Sequence, residues 1–93
     1  MAITGADIER LRELSTKFSV DWAGQLEQLI SQIDGQVQAS VDIWTGDDAN
    51  QFRGQVWPEH KSRMNNARDV LVQAGEMAKR NVEAQVSTSS TLA

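Results

Sequence analysis

The chain has 93 residues, no cysteine, one histidine and one proline, and a formal net charge of −4. This length bounds it to one domain at most, with a modest core. The composition excludes disulfides and thiolate zinc sites. Residues 1–43 carry seven acids against three bases, and no Lys or Arg lies between Phe18 and Phe52. An acidic half of this kind does not suit nucleic acid or an anionic membrane surface, both of which attract clustered cations.

The N-terminus, MAITGADIERLREL, has no basic region followed by an apolar run, so it does not read as a cleaved secretory signal. No stretch approaches the ~20 apolar residues that span a bilayer. Thr4 and Asp7 form a capping-box-like pair, and Ile3 and Ile8 flank the cap at hydrophobic-staple spacing. Apolar residues then recur at three and four: Ile8, Leu11, Leu14, Phe18, Trp22, Leu26, Leu29, Ile33, Val37, Val41 and Trp44. This periodicity predicts one helix over about residues 5–42, roughly 55 Å long at ~1.5 Å per residue.

Trp44-Thr45-Gly46-Asp47-Asp48 is the clearest break. Asp47 and Asp48 read as caps of the following helix, at the positive end of its dipole. They do not read as metal ligands, which come in larger sets at fixed spacing. The second stripe is Ala49, Phe52, Val56, Met64, Ala67, Leu71, Ala74, Ala78 and Val82, and predicts a helix over about 48–84. Pro58 falls inside it. Its ring clashes with the carbonyl of Gly54, so a kink without a break is expected near 54–58. Ser87-Thr88-Ser89-Ser90-Thr91 reads as part of a flexible polar tail over 87–93.

Two long helices joined by a short turn predict an all-α, antiparallel hairpin over 1–86. Each stripe covers an arc approaching 180°, wider than a single seam needs. The surplus predicts that two hairpins pair into a four-helix bundle. Leu11, Phe18, Trp22, Leu26, Leu29, Ile33, Phe52, Val56, Met64 and Leu71 are the expected core and dimer-interface residues. Trp44 is expected to pack across both helix ends, and Gly46 to need a backbone conformation that side chains disfavour. Trp57, beside the kink, is the tryptophan expected to be partly exposed to a partner.

No catalytic, cofactor-binding or metal residues are expected. His60 stands without a nucleophile or orienting partner in the pattern, and is expected to be partly buried or interfacial. A bundle metal site needs Glu-x-x-His, which does not occur. A membrane-lytic helix has a cation-rich polar face, whereas the first helix is acidic. Gly24, Gly35, Gly54 and Gly75 stand alone within the helices, either allowing close approach or simply tolerated.

Trp44-Thr45-Gly46 is a W-x-G at mid-chain between two amphipathic helices, followed by Ala49 and Phe52. With the length and the absence of a signal peptide and of cysteine, residues 4–86 resemble the WXG family of small type VII secretion substrates. The resemblance implies a secreted helical hairpin, made and paired in the cytoplasm as a homodimer or as a heterodimer with a WXG paralogue. It also implies engagement of the type VII secretion ATPase, directly or through the partner. The family's Y-x-x-x-D/E export signal is incomplete here. Glu83 fits the acidic position, Lys79 stands where the tyrosine would be, and the chain has no tyrosine. An unexported cytosolic helical adaptor is the rival reading of the same periodicity.

Overall fold

The computed structural model describes the backbone of residues 5–92 and the side chains of residues 7–87. It is an all-helical hairpin, 69 × 16 × 15 Å in extent. The first arm comprises α1 (Gly5–Thr16), a π-helical segment (Lys17–Trp22), α2 (Ala23–Ala39) and a 3-10 turn (Ser40–Asp42). The second arm comprises α3 (Asp47–Gln51), a π-helical segment (Phe52–Val56) and α4 (Trp57–Leu92). The expected Thr4 cap and Ile3 staple lie outside the described residues.

The seam between the arms has a stricter period than the apolar stripe. On the first arm Ser19, Ala23, Leu26, Ile30, Ile33, Val37 and Ser40 are all buried or half-buried. On the second arm the same holds for Lys61, Met64, Arg68, Leu71, Gly75, Ala78, Val82 and Gln85. Steps alternating between three and four average 3.5 residues, the spacing of two helices packed along one line. The seam is narrow. Ala23, Ile30, Val37, Ala49, Trp57 and Val82 are its buried apolar residues, joined by Ser15.

Both π segments lie where this period slips. Ser15, Ser19 and Ala23 are successive seam residues four apart, as are Ala49, Arg53 and Trp57. Two consecutive four-residue steps hold one residue too many for the pattern. A π turn winds more residues per turn and absorbs it, keeping the seam in register. The Ala23 amide accordingly donates to the Phe18 carbonyl, and the Trp57 amide to the Phe52 carbonyl. The single long first helix expected from periodicity is therefore corrected to two α segments with a π turn between them. The distortion expected near Pro58 takes the same form. The π turn ends two residues before the proline and contains Gly54, whose carbonyl the ring would meet in a regular α-helix.

The arms approach most closely at Gly75. A Cβ there would lie 2.5 Å from Ser19 Cβ, 2.6 Å from the Ser15 carbonyl oxygen and 2.7 Å from the Ser19 amide nitrogen. Ser15 Oγ donates to the Gly75 carbonyl at 2.8 Å, and Ser19 Oγ donates to the Ser15 carbonyl at 2.7 Å. Of the helical glycines, Gly24, Gly35 and Gly54 have nothing within 4 Å of an added Cβ, so these three are tolerated and not needed.

Two terminal expectations are corrected. Asp47 and Asp48 are not caps. Gly46 is the N-cap residue, and the two acids occupy the first turn of α3, where the dipole still favours them. The polar stretch from Ser87 is not a break in the helix either: α4 runs on to Leu92. Serine and threonine lower helix propensity by only a few tenths of a kcal/mol each, which a helix already nucleated over seven turns tolerates.

Candidate interaction surface

The two long edges of the hairpin differ in chemistry. On one, Lys61 pairs with Asp34 at 3.3 Å, and Arg68 bridges Glu27 at 3.3 Å and Asp69 at 2.7 Å. Asp69 and then Glu27 reinforce the charged form of that guanidinium. Trp57 Nε1 donates to Asp34 Oδ1 at 2.9 Å. This bond, with Lys61 beside it, holds the Asp34 carboxyl below its ordinary value of 3.8.

The opposite edge follows from the helical geometry. Lys61 and Arg68 form the ion-paired side of the α4 seam, so the line of Met64, Leu71 and Ala78 forms the other. Outward from that line come Val56, His60, Ala67, Val70, Ala74 and Met77. On the first arm the matching residues are Leu14, Phe18, Trp22, Gln25, Leu29, Gln32, Ile33 and Gln36, without an ionised side chain among them. Leu29, Ile33, Trp44 and Phe52 line one groove of about 340 Å³, which places the two arms' uncharged residues on the same edge. Leu14 and Trp22 are 39 % exposed, Leu29 50 %, Val70 60 % and Met77 63 %. Phe18 and Trp22 form an edge-to-face pair at 4.9 Å, aimed outward by the π turn that carries them. Arg63 is an ionised side chain on this edge, and Asp7, two turns before Leu14 in α1, falls on the same line.

The tip is built around Gly46, whose φ of 105° is the left-handed backbone expected of it. The Ile43 and Trp44 amides both donate to the Ser40 carbonyl, at 3.0 and 2.8 Å. Arg53 reaches back from the second arm. Its Nη1 donates to the Trp44 carbonyl at 2.8 Å and to Ser40 Oγ at 3.1 Å. Its guanidinium also lies 6.0 Å over the Trp44 ring. Trp44 meets Phe52 with ring centroids 5.4 Å apart. Trp44 thus touches the second arm, but it remains 41 % exposed, so it does not fill a closed space between the helix ends.

The expected interface set divides. Leu11, Phe18, Leu26, Ile33, Phe52, Val56, Met64 and Leu71 are half-buried, whereas Trp22 and Leu29 are exposed. Trp57 is corrected outright. It is 5 % exposed, packed into the seam and tied to Asp34 on the other arm, so it offers nothing to a partner. The four-residue steps from Ala49 turn it inward, a signal present in the spacing. His60 was expected to be partly buried or interfacial; it is exposed in the single hairpin, which removes the first alternative, and lies one step outside the seam residues Lys61 and Met64. Lys79 and Glu83 are exposed one turn apart, beside a groove shared with Arg12, Val82 and Val86.

Ser15, Ala23 and Ile30, which are not in the large-apolar stripe, are buried. A three-four count that admitted small residues would have found them. Ile43, at 87 % exposed, was equally unmarked. Among the described residues no three His, Asp or Glu side chains converge as metal ligands, and no helix is long and apolar enough to cross a membrane. No protein-family model, curated protein or solved structure matches the chain.

Proposed function

We propose that the chain is a non-catalytic interaction hairpin. It buries its uncharged edge against a second hairpin to form a four-helix bundle, and acts as a small secreted substrate of type VII secretion. The observation that carries the pairing is the uncharged edge itself, with Leu14, Trp22, Leu29, Val70 and Met77 between 39 and 63 % exposed. A lone soluble chain rarely leaves so long an apolar strip open. The shape agrees. The radius of gyration is 20.2 Å, against about 12 Å for a compact domain of this length. The accessible surface of 6846 Å² exceeds that of a typical monomer of this mass by roughly a quarter. That excess, about 1,500 Å² for one chain, is ample for the roughly 800 Å² per partner that a standard interface removes from water.

The export reading rests on the W-x-G at the tip of the hairpin, with Gly46 in its left-handed conformation. Lys79 in place of the signal tyrosine favours export alongside a partner that carries the complete signal. The partner is a second copy or a paralogue. The scarcity of charge on the uncharged edge favours the second copy, since few charges there would meet their own copies across a twofold axis.

Sedimentation of the purified chain at tens of micromolar, alone and with the paralogue encoded beside it, tests the pairing. A dimer is expected, and Leu29→Glu with Met77→Glu should dissociate it, whereas Val20→Glu on the ion-paired edge should not. A folded monomer at that concentration would overturn the pairing. Export is tested by measuring the chain in culture medium before and after deletion of the partner gene. Retention in the cytoplasm of both strains would favour the cytosolic adaptor.

A further inference from the structure

The tip carries exposed apolar residues of its own. Val41 is 51 % exposed and Ile43 is 87 % exposed. Val41 continues the line of Asp34 two turns on, which places it toward the ion-paired edge. Asp42 stands between these residues in the chain and Asp47 and Asp48 open the second arm a few residues on, and none of the three belongs to an ion pair among the described residues. Arg53, the cation tied to the tip, is turned onto the Trp44 carbonyl and Ser40 Oγ and pairs with none of the three carboxylates.

This surface is also held still. Two amides on the Ser40 carbonyl, the Arg53 clamp and the fixed Gly46 backbone define the path from Ser40 to Asp48. An apolar group presented on a pinned turn loses little freedom on docking, which favours affinity. We infer that the tip is a docking surface for a protein partner whose apolar pocket is rimmed by Lys or Arg, with Ile43 as the inserted side chain. The three carboxylates select the partner. They repel nucleic acid and anionic lipid, and they draw a basic rim into register. This inference is argued from the tip residues alone and does not depend on the pairing or export proposed above.

The test uses the full-length, nitrogen-15-labelled chain and three synthetic amphipathic helical peptides. One has a leucine face flanked by arginine, the second replaces arginine with glutamate, and the third replaces leucine with serine. The leucine-arginine peptide is expected to shift the amide resonances of Val41 to Asp48, with affinity that falls as salt is raised. Ile43→Ser should weaken that binding by about tenfold or more, as truncation of a central anchor does. It should leave the melting temperature unchanged, because the side chain is almost fully exposed. Asp47→Asn with Asp48→Asn should flatten the salt dependence. The inference is overturned if the serine-arginine peptide binds equally well, which would make it charge attraction alone. It is equally overturned if the shifts fall along Leu29 and Met77 with the tip silent, or if Ile43→Ser binds normally. Binding of phosphatidylcholine vesicles through Ile43 in place of the peptide would make the tip a lipid contact and also refute it.

Discussion

Gly75→Ala is the most demanding test of the packing, because propensity and packing predict opposite signs. Alanine stabilises a helix interior by about 1 kcal/mol over glycine, and it also restricts the unfolded chain. Against this, the new methyl would sit 2.5–2.7 Å from Ser19 Cβ, the Ser15 carbonyl oxygen and the Ser19 amide nitrogen. Two of these atoms are backbone and the third is a Cβ, so no side chain can rotate away. The arms must part locally, at the overpacking cost of about 1–3 kcal/mol. Parting them also strains the Ser15 Oγ bond to the Gly75 carbonyl, worth about 1 kcal/mol. The balance is a net destabilisation of about 1–3 kcal/mol, or a fall of at least 4 °C or so in Tm for a chain of this size. Gly24→Ala and Gly35→Ala meet nothing within 4 Å and carry only the favourable half, so each should raise Tm. Circular dichroism melts of the three variants, at one fixed protein concentration because pairing would make Tm concentration-dependent, decide the matter. If Gly75→Ala is as stable as Gly24→Ala, the close approach of the arms is wrong.

Asp34 gives a pH prediction. Its folded-state pKa is lowered by the Trp57 hydrogen bond first and the Lys61 bond second, so the stability it adds is fully present above 3.8 and is lost as pH falls through the lowered value. Melts at pH 7 and pH 3 should therefore show a larger drop in Tm for the native chain than for Asp34→Asn, and an intermediate drop for Trp57→Phe, which keeps the Lys61 pair. Trp44→Ala should cost about 1–2 kcal/mol in urea titrations, less than the ~3–5 kcal/mol of a buried aromatic, because the ring is 41 % exposed. A cost in the upper range would mean that the indole is covered in solution, as pairing along the uncharged edge would do.

The hairpin was legible in the sequence because two long three-four periods interrupted by Trp44-Thr45-Gly46 leave little else to build. The face that each helix turns inward was less so. Counting large apolar residues picked out the line through Leu14, Phe18, Trp22 and Leu29, which is the outward edge. The inward line runs through Ser15, Ala23 and Gly75, residues that carry almost no hydrophobic signal. Close helix packing selects small residues at the crossing, so the contact is tightest where the pattern is faintest. Trp57 was misread for a related reason. Proximity to Pro58 suggested exposure, whereas the four-residue steps from Ala49 turn the indole toward Asp34.

The bonds between the arms form a graded series. Arg53 holds the tip across separations of 9 and 13 residues, Trp57 meets Asp34 across 23, and Ser15 meets Gly75 across 60. Closing a 60-residue loop directly costs about 1.3 kcal/mol more than closing one of 13, so the arms close in sequence from the tip outward, each contact shortening the loop left for the next. The reverse order governs opening. The open ends of the arms part first while Arg53 still holds Trp44, and local unfolding there needs only a fraction of the energy of global unfolding. This order predicts that backbone amides around Lys79 and Glu83 exchange with solvent faster than those flanking the Arg53 clamp at the tip, which hydrogen–deuterium exchange of the intact chain would measure.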